Sequence, residues 1–210
     1  MMKRAILLMN MGGPNNLNEV EVFLSNMFND KRIIAAPTFI RKLIAKLIIW
    51  KRIDEAKSNY SALGGRSPIV SYTHKLISKL EMGLDATVHM VMRYTPPYAN
   101  ETLKNLKDVD EIYAIPLYPH YSSTTTLSSM DDLEAGIKAY GITAKVKTID
   151  SYYRHPDYIA ASVERIKETL GSNDPDEYEL IFSAHGLPQK IIDKGDDYQR
   201  HIKYKVYYAR

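Results

Sequence analysis

Apolar and polar positions along the chain follow two rhythms. Stretches at 5–9, 87–92, 111–117, 145–149 and 178–184 are short and mostly apolar or β-branched, which predicts five strands. Between them apolar residues recur at helical spacing. Val20, Phe23, Leu24 and Met27 share one face of a predicted helix capped by Asn18. Pro37-Thr38 opens a second helix to about 59, Ser67-Pro68 precedes a third at 70–84, and shorter patterns follow at 100–107 and 130–140. Residues 156–170 place Ile159, Val163 and Ile166 in register. Strands alternating with helices predict parallel βαβ units, hence an α/β fold with an open parallel sheet flanked by helices. In such folds ligands bind beyond the carboxyl ends of the strands. Gly171, the polar residues after it and Pro175 mark the expected boundary between 1–171 and 172–210. A last helical stripe, Tyr198, Ile202, Val206 and Ala209, reaches Arg210 without a Gly, Asn or Pro. That end predicts either a fraying helix or an amino-terminal piece of a longer chain.

Composition narrows the class. The 210 residues are 45% hydrophobic and 25% charged, which are globular values. Lys plus Arg total 28 against 25 for Asp plus Glu, and a net charge of +3 is too small to imply a nucleic-acid partner. The chain has no cysteine, which excludes disulfides, thiolate catalysis, cysteine-ligated zinc and an iron–sulfur cluster held by these residues. The apolar run at 5–9 is too short for a signal peptide, and no uncharged run reaches membrane-spanning length. A soluble cytoplasmic protein is expected.

Candidate chemistry sits at the strand ends. Gly12-Gly13-Pro14 lacks the spacing of a dinucleotide or P-loop motif, so a tight turn needing positive φ is favoured over a nucleotide site. Residues 39–53 combine Phe39, Leu43, Leu47 and Trp50 with Arg41, Lys42, Lys46, Lys51 and Arg52 and no acid. Such a helix is either a core helix with a basic edge or a surface for anionic lipid or a flat apolar ligand. Between 122 and 129 seven of eight residues carry hydroxyls, of which Ser128 or Ser129 is the expected helix cap. The others can donate to an anionic group. His185 lies in Ser183-Ala184-His185-Gly186-Leu187-Pro188, where the fifth strand should end; Ser183 is two residues away, but no nucleophile elbow is present. His74, His89, His155 and His201 lack metal-ligand spacing and read as surface or structural.

Five of these stretches together resemble the ferrochelatase family. They are residues 8–14, ending Met11-Gly12-Gly13-Pro14; Tyr60 with Gly64-Gly65-Arg66-Ser67-Pro68; Met92-Arg93-Tyr94; Tyr118 through Ser129; and Phe182 through Pro188 with Gly195-Asp196-Asp197-Tyr198 behind it. Leu127 stands where the family commonly has Gly, and Asp197 where it commonly has Pro. The resemblance implies insertion of ferrous iron into protoporphyrin IX in a cleft between two Rossmann-like lobes. It implies that His185 is the catalytic histidine, binding iron, accepting pyrrole protons, or both. It implies porphyrin contacts at Met11, Tyr60 and Ser67, and a hydrophobic lip at 39–53 that is a candidate for peripheral membrane contact. Fe²⁺ is then a substrate, with no permanently bound cofactor. A neutral imidazole suits both tasks, because it titrates near neutral pH and is a borderline ligand for Fe²⁺.

Family members are longer than 210 residues. The resemblance therefore implies a first lobe plus the opening of a second that is largely missing. The acidic partner of His185, typically Glu, is expected beyond residue 210, and impaired activity with it. Two alternatives stay open: a cobalt or nickel tetrapyrrole chelatase, and a non-catalytic porphyrin-binding module.

Overall fold

The computed structural model describes residues 2–208, the side chain of Tyr208 excepted. Ala209 and the uncapped end at Arg210 lie outside the described residues. Four parallel strands form one sheet: β1 (Arg4–Asn10), β2 (Thr87–Met92), β3 (Glu111–Pro116) and β4 (Lys145–Thr148), in the order β2-β1-β3-β4. β1 is central, with Ala5 opposite Thr87 on one side and opposite Ile112 on the other. Its unbroken apolar run follows from that position, since a central parallel strand is covered on both faces. Ala5, Leu7 and Met9 point into one cluster, with Ile112 and Ala114 of β3. Ile6 and Leu8 point into the other, with Val88.

Helices cover each face. α3 (Ile69–Glu81) lays Leu76, Ile77 and Leu80 on the Ile6–Leu8 side. α4 (Ala99–Leu103) and α5 (Thr126–Tyr140) bring Leu103 and Leu133 to the Ala5–Leu7 side. Leu7, Leu103, Ile112 and Leu133 are fully buried, and each such side chain contributes about 1.5–3 kcal/mol of transfer free energy. α1 (Val20–Phe28) and α2 (Thr38–Ala62) form a third cluster around Val20, Phe23 and Leu24. The chain enters α1 through a short 3₁₀ turn capped by Asn16, whose side chain accepts the backbone N–H of Asn18 and Glu19. The cap is therefore Asn16, two residues before the expected Asn18. An Asn at that position satisfies two N–H groups at once.

Two other expectations change. α5 begins at Thr126, four residues before the predicted start, and has no side-chain cap. Ser128 and Ser129 are buried in its first turn instead of capping it. The fifth strand at 178–184 does not form: this stretch carries no regular structure, and Tyr178, Leu180 and Ile181 are exposed. A strand needs a neighbour for its backbone groups, and among the described residues none pairs with it.

Contacts gather the chain into two compact units, Met1–Leu117 with Ser123–Ile149, and Tyr118–Ser122 with Asp150–Arg210. The first holds the sheet. The second contains α6 (Pro156–Leu170), with Pro156 at its first turn, the four-residue α7 (Gln189–Ile192) and α8 (Tyr198–Tyr208). The expected boundary after Gly171 falls inside this second unit.

Candidate functional site

The carboxyl end of β1 is built by close backbone approach. Gly12 has φ +83°, and a Cβ there would collide with the Thr95 hydroxyl. Gly13 donates its N–H to Thr95 Oγ1 at 3.0 Å, and a Cβ on it would lie 2.6 Å from Ser67 Cβ and Oγ. Ser67 closes the other side by donating its N–H to the Pro14 carbonyl at 2.8 Å. The positive-φ expectation thus holds for Gly12, whereas Gly13 is required by the approach of Ser67. Beyond β2, Arg93 N–H bonds the Asn10 carbonyl at 2.8 Å and Tyr94 N–H the Met11 carbonyl at 2.9 Å. The strand end is clamped from two directions.

Met11 and Tyr60 meet in one cluster. Both are half-buried and pack against Val20, Phe23, Leu24 and Tyr94. Phe23 contacts Tyr60 edge-on at 6.5 Å between ring centroids and Tyr94 edge-on at 6.3 Å. Tyr60 comes from the last turn of α2, and its carbonyl accepts the N–H groups of Leu63 and Gly65, which turns the chain toward Ser67. Burial pushes the Tyr60 phenol above its ordinary range, so it stays a neutral donor. Met11, Tyr60 and Ser67, far apart in sequence, therefore surround one strand end with a sulfur, a phenol and a hydroxyl.

Tyr94 links this apolar cluster to a charged network. The Asp30 side chain is buried, and its Oδ2 accepts from Arg93 Nη2 at 3.2 Å, from Tyr94 Oη at 3.0 Å and from Ser128 Oγ. Asp30 Oδ1 takes the Arg32 backbone N–H at 2.7 Å. Arg93 also donates from Nε to Ser128 Oγ at 2.9 Å and stands 3.7 Å from Asp132. Burial raises the Asp132 carboxyl, partly opposed by the Arg93 charge, and it likewise raises the Tyr94 phenol. Nearby, Arg32 grips Asp131 with two hydrogen bonds at 2.9 and 3.1 Å, which hold that carboxyl below its usual range. Ser128 thus serves this network. Arg93-Tyr94 falls in one of the quoted motifs, whereas no local sequence pattern marks Asp30 or Asp132.

His185 belongs to the second unit. It is exposed, in the irregular stretch before α7, and no hydrogen bond joins it to Ser183 among the described residues. His120 and His201 of the same unit are more enclosed: His201 stacks on Tyr153 at 3.7 Å, and its Nδ1 accepts the Tyr121 N–H at 3.1 Å. Ser122 Oγ donates to Asp196 Oδ2 at 3.0 Å, so this hydroxyl too has a structural partner. Among the described residues no three His, Cys, Asp or Glu side chains converge as a metal-holding group.

The ferrochelatase family model matches residues 3–209. The chain belongs to the ferrochelatase family. A protein named ferrochelatase from a Nitratiruptor species is 51% identical over 208 residues, covering 95% of this chain and 67% of the relative. One from Sulfurimonas denitrificans is 48% identical over 97% of this chain and 66% of its own length. The ferrochelatase of Wolinella succinogenes is 44% identical, with shares of 96% and 65%. The chain thus spans about two thirds of the length of these curated relatives.

In this member of the ferrochelatase family, α2 carries two apolar stripes. Ile49, Ile53, Ala56 and Tyr60 face the cluster that holds Met11. Phe39, Leu43, Leu47 and Trp50 form a second stripe and are exposed, Phe39 to 81% and Trp50 to 73%. Lys42, Lys46, Lys51 and Arg52 are exposed beside it. An apolar stripe of 39–53 is thus exposed together with its cations. No helix among the described residues is long and apolar enough to cross a membrane.

Proposed function

We propose that this chain is the porphyrin-receiving part of a protoporphyrin ferrochelatase, with the macrocycle lying against Met11, Tyr60 and Ser67 at the end of β1. The observation that carries the reading is the meeting of Met11 and Tyr60 in one half-buried cluster beside Ser67, in a chain of the ferrochelatase family. A flat apolar ligand gains from such a surface: Met11 supplies a polarizable contact to a ring face, and the two hydroxyls supply directional bonds at its rim. Ferrous iron enters as a substrate, not as a resident cofactor. His185 provides the imidazole that takes a pyrrole proton, binds the incoming iron, or does each in turn. Insertion releases two protons for each Fe²⁺ that enters, so a group that accepts protons and lets the metal go is what the reaction needs.

The exposed stripe of α2 and its cations extend this reading to a lip over which an apolar substrate passes, with peripheral contact to anionic lipid. Efficient insertion also needs a carboxylate partner for His185, which we assign to the third of the relatives' length that this chain does not span. The chain by itself is then expected to bind protoporphyrin and metallate it poorly.

The test is optical titration of protoporphyrin with and without Fe²⁺, on the 210-residue chain and on a protein of the relatives' full length. In the longer protein His185→Ala should abolish iron insertion while porphyrin binding persists. Near-normal turnover would sink the assignment. Preference for Co²⁺ or Ni²⁺ over Fe²⁺ would point to another chelatase. Bound free base that is never metallated, even in the longer protein, would point to a binding module.

A further inference from the structure

We propose that Asp30 is a positioning residue for the porphyrin seat: its buried carboxylate fixes Arg93 and Tyr94, and through them the surfaces that Met11 and Tyr60 present. The inference rests on the reading above, that the end of β1 receives a porphyrin. Asp30 follows the carboxyl end of α1, where a negative charge opposes the helix dipole; its Oδ1 takes the Arg32 N–H in a local turn, which an Asn would serve as well, and leaves the charge and Oδ2 to be accounted for. Its side chain is 2% exposed, and burying a carboxylate is costly unless it is paired and hydrogen-bonded.

The groups that compensate it come from two other places in the fold. Arg93 and Tyr94 lie just past the end of β2, and Ser128 lies in the first turn of α5. All three converge on a single oxygen, Asp30 Oδ2. An apolar cluster of the same volume would be about as stable, so the distinctive property of this network is the fixed geometry it imposes.

That geometry leads to the seat by two routes. Tyr94 donates its backbone N–H to the Met11 carbonyl at 2.9 Å, and the preceding N–H, that of Arg93, binds the Asn10 carbonyl. Tyr94 also packs its ring edge-on against Phe23, and Phe23 packs edge-on against Tyr60. A Tyr94 phenol released from Asp30 would let the ring tilt, and the Phe23–Tyr60 contact and the Met11 backbone would follow. Neither Asp30 nor Ser128 needs to touch the ligand for this to alter its binding.

The test is a mutant cycle on the 210-residue chain, read as protoporphyrin affinity from Soret absorbance. It is run well below the unfolding temperature, with folding checked by circular dichroism. Asp30→Asn keeps the shape and one acceptor but removes the charge that holds Arg93, and should weaken binding about tenfold. Tyr94→Phe removes only the phenolic hydroxyl and should weaken it about fivefold. The double variant should bind no worse than Asp30→Asn alone, because both changes break one linkage. A residue that merely stabilises the fold would lower the unfolding temperature without moving the affinity of the folded protein. Wild-type affinity in Asp30→Asn, or losses that multiply in the double variant, would overturn the inference. If Asp30→Asn does not fold, Tyr94→Phe and Ser128→Ala carry the test, and unchanged affinity in both overturns it. A wild-type chain with no saturable porphyrin binding would overturn the porphyrin reading and this inference with it, whereas binding that the variants leave unaltered overturns this inference alone.

Discussion

Gly13 shows how tightly the end of β1 is packed. A methyl group at this position would meet Ser67 Cβ and Oγ at 2.6 Å, and both neighbours are anchored, Gly13 by Thr95 and Ser67 by Pro14. Relief needs backbone movement, not a rotamer change. Gly13→Ala should therefore destabilise the first unit by about 1–3 kcal/mol, the usual cost of overpacking, read as a lower midpoint of urea unfolding. An unchanged midpoint would mean that Ser67 is looser than its hydrogen bond implies. Sequence alone marked the Gly-Gly-Pro run as a turn and, by resemblance, Met11, Tyr60 and Ser67 as neighbours of a ligand. It could not reveal why Gly13 is Gly, because the group that excludes a side chain lies 54 positions away. The Asp30 network was illegible for the same reason. Its partners are 63, 64 and 98 residues distant, and no local pattern distinguishes Asp30 or Ser128 from an exposed acid or a capping hydroxyl.

Secondary structure was most legible where periodicity and flanking signals agreed. β2 occupies the predicted 87–92, and α6 runs over the predicted 156–170 behind Pro156. α5 starts early because tertiary partners bury Thr126, Ser128 and Ser129, which overrides the preference of hydroxyl residues for caps. The stretch at 178–184 has the composition of a strand, but pairing is not a property of one segment. With Ile181 exposed to 85% and no ladder, its amides are open to solvent. Hydrogen exchange should show residues 178–187 exchanging at close to free-chain rates, while Leu7, Leu8 and Met9 of β1 stay protected up to global unfolding. Slow exchange at 179–182 would mean that this segment finds a partner strand in solution.

At the scale of the whole molecule the two units rest on different chemistry, and acid should separate them. The sheet of the first unit is covered by largely aliphatic clusters. Burial lowers His89 of the edge strand β2, which hydrogen-bonds Thr87, with the Glu81 charge opposing, so β2 has an acid sensitivity of its own. The second unit centres on Tyr153, which stacks on His201, meets Tyr204 edge-on and lies against His120, itself edge-on to Tyr198. Burial, with the Lys205 charge and His201 adding to it, pushes His120 down to about 4. Burial also lowers His201, with Arg200 and Arg154 adding to the effect and Asp197 and Asp196 opposing it. A histidine whose folded value lies below its unfolded value near 6.5 binds fewer protons in the fold than in the open chain. Its contribution is whole above pH 6.5 and is lost as the pH falls toward 4. Water still reaches part of this cluster, so the discounted loss is about 1–2 kcal/mol, not the full value of the shift. Apart from His89, at the edge of the sheet, the aliphatic faces of β1 and β3 carry no group that titrates between pH 7 and 5 and have little reason to weaken there. Hydrogen exchange followed at pH 7, 6 and 5, with intrinsic rates corrected for pH, should therefore show α6 and α8 losing protection while β1 and β3 keep theirs. His120→Gln, which cannot gain a proton, should flatten that dependence. Equal loss in both units, or an unaltered profile in His120→Gln, would place the acid sensitivity elsewhere than in this aromatic cluster.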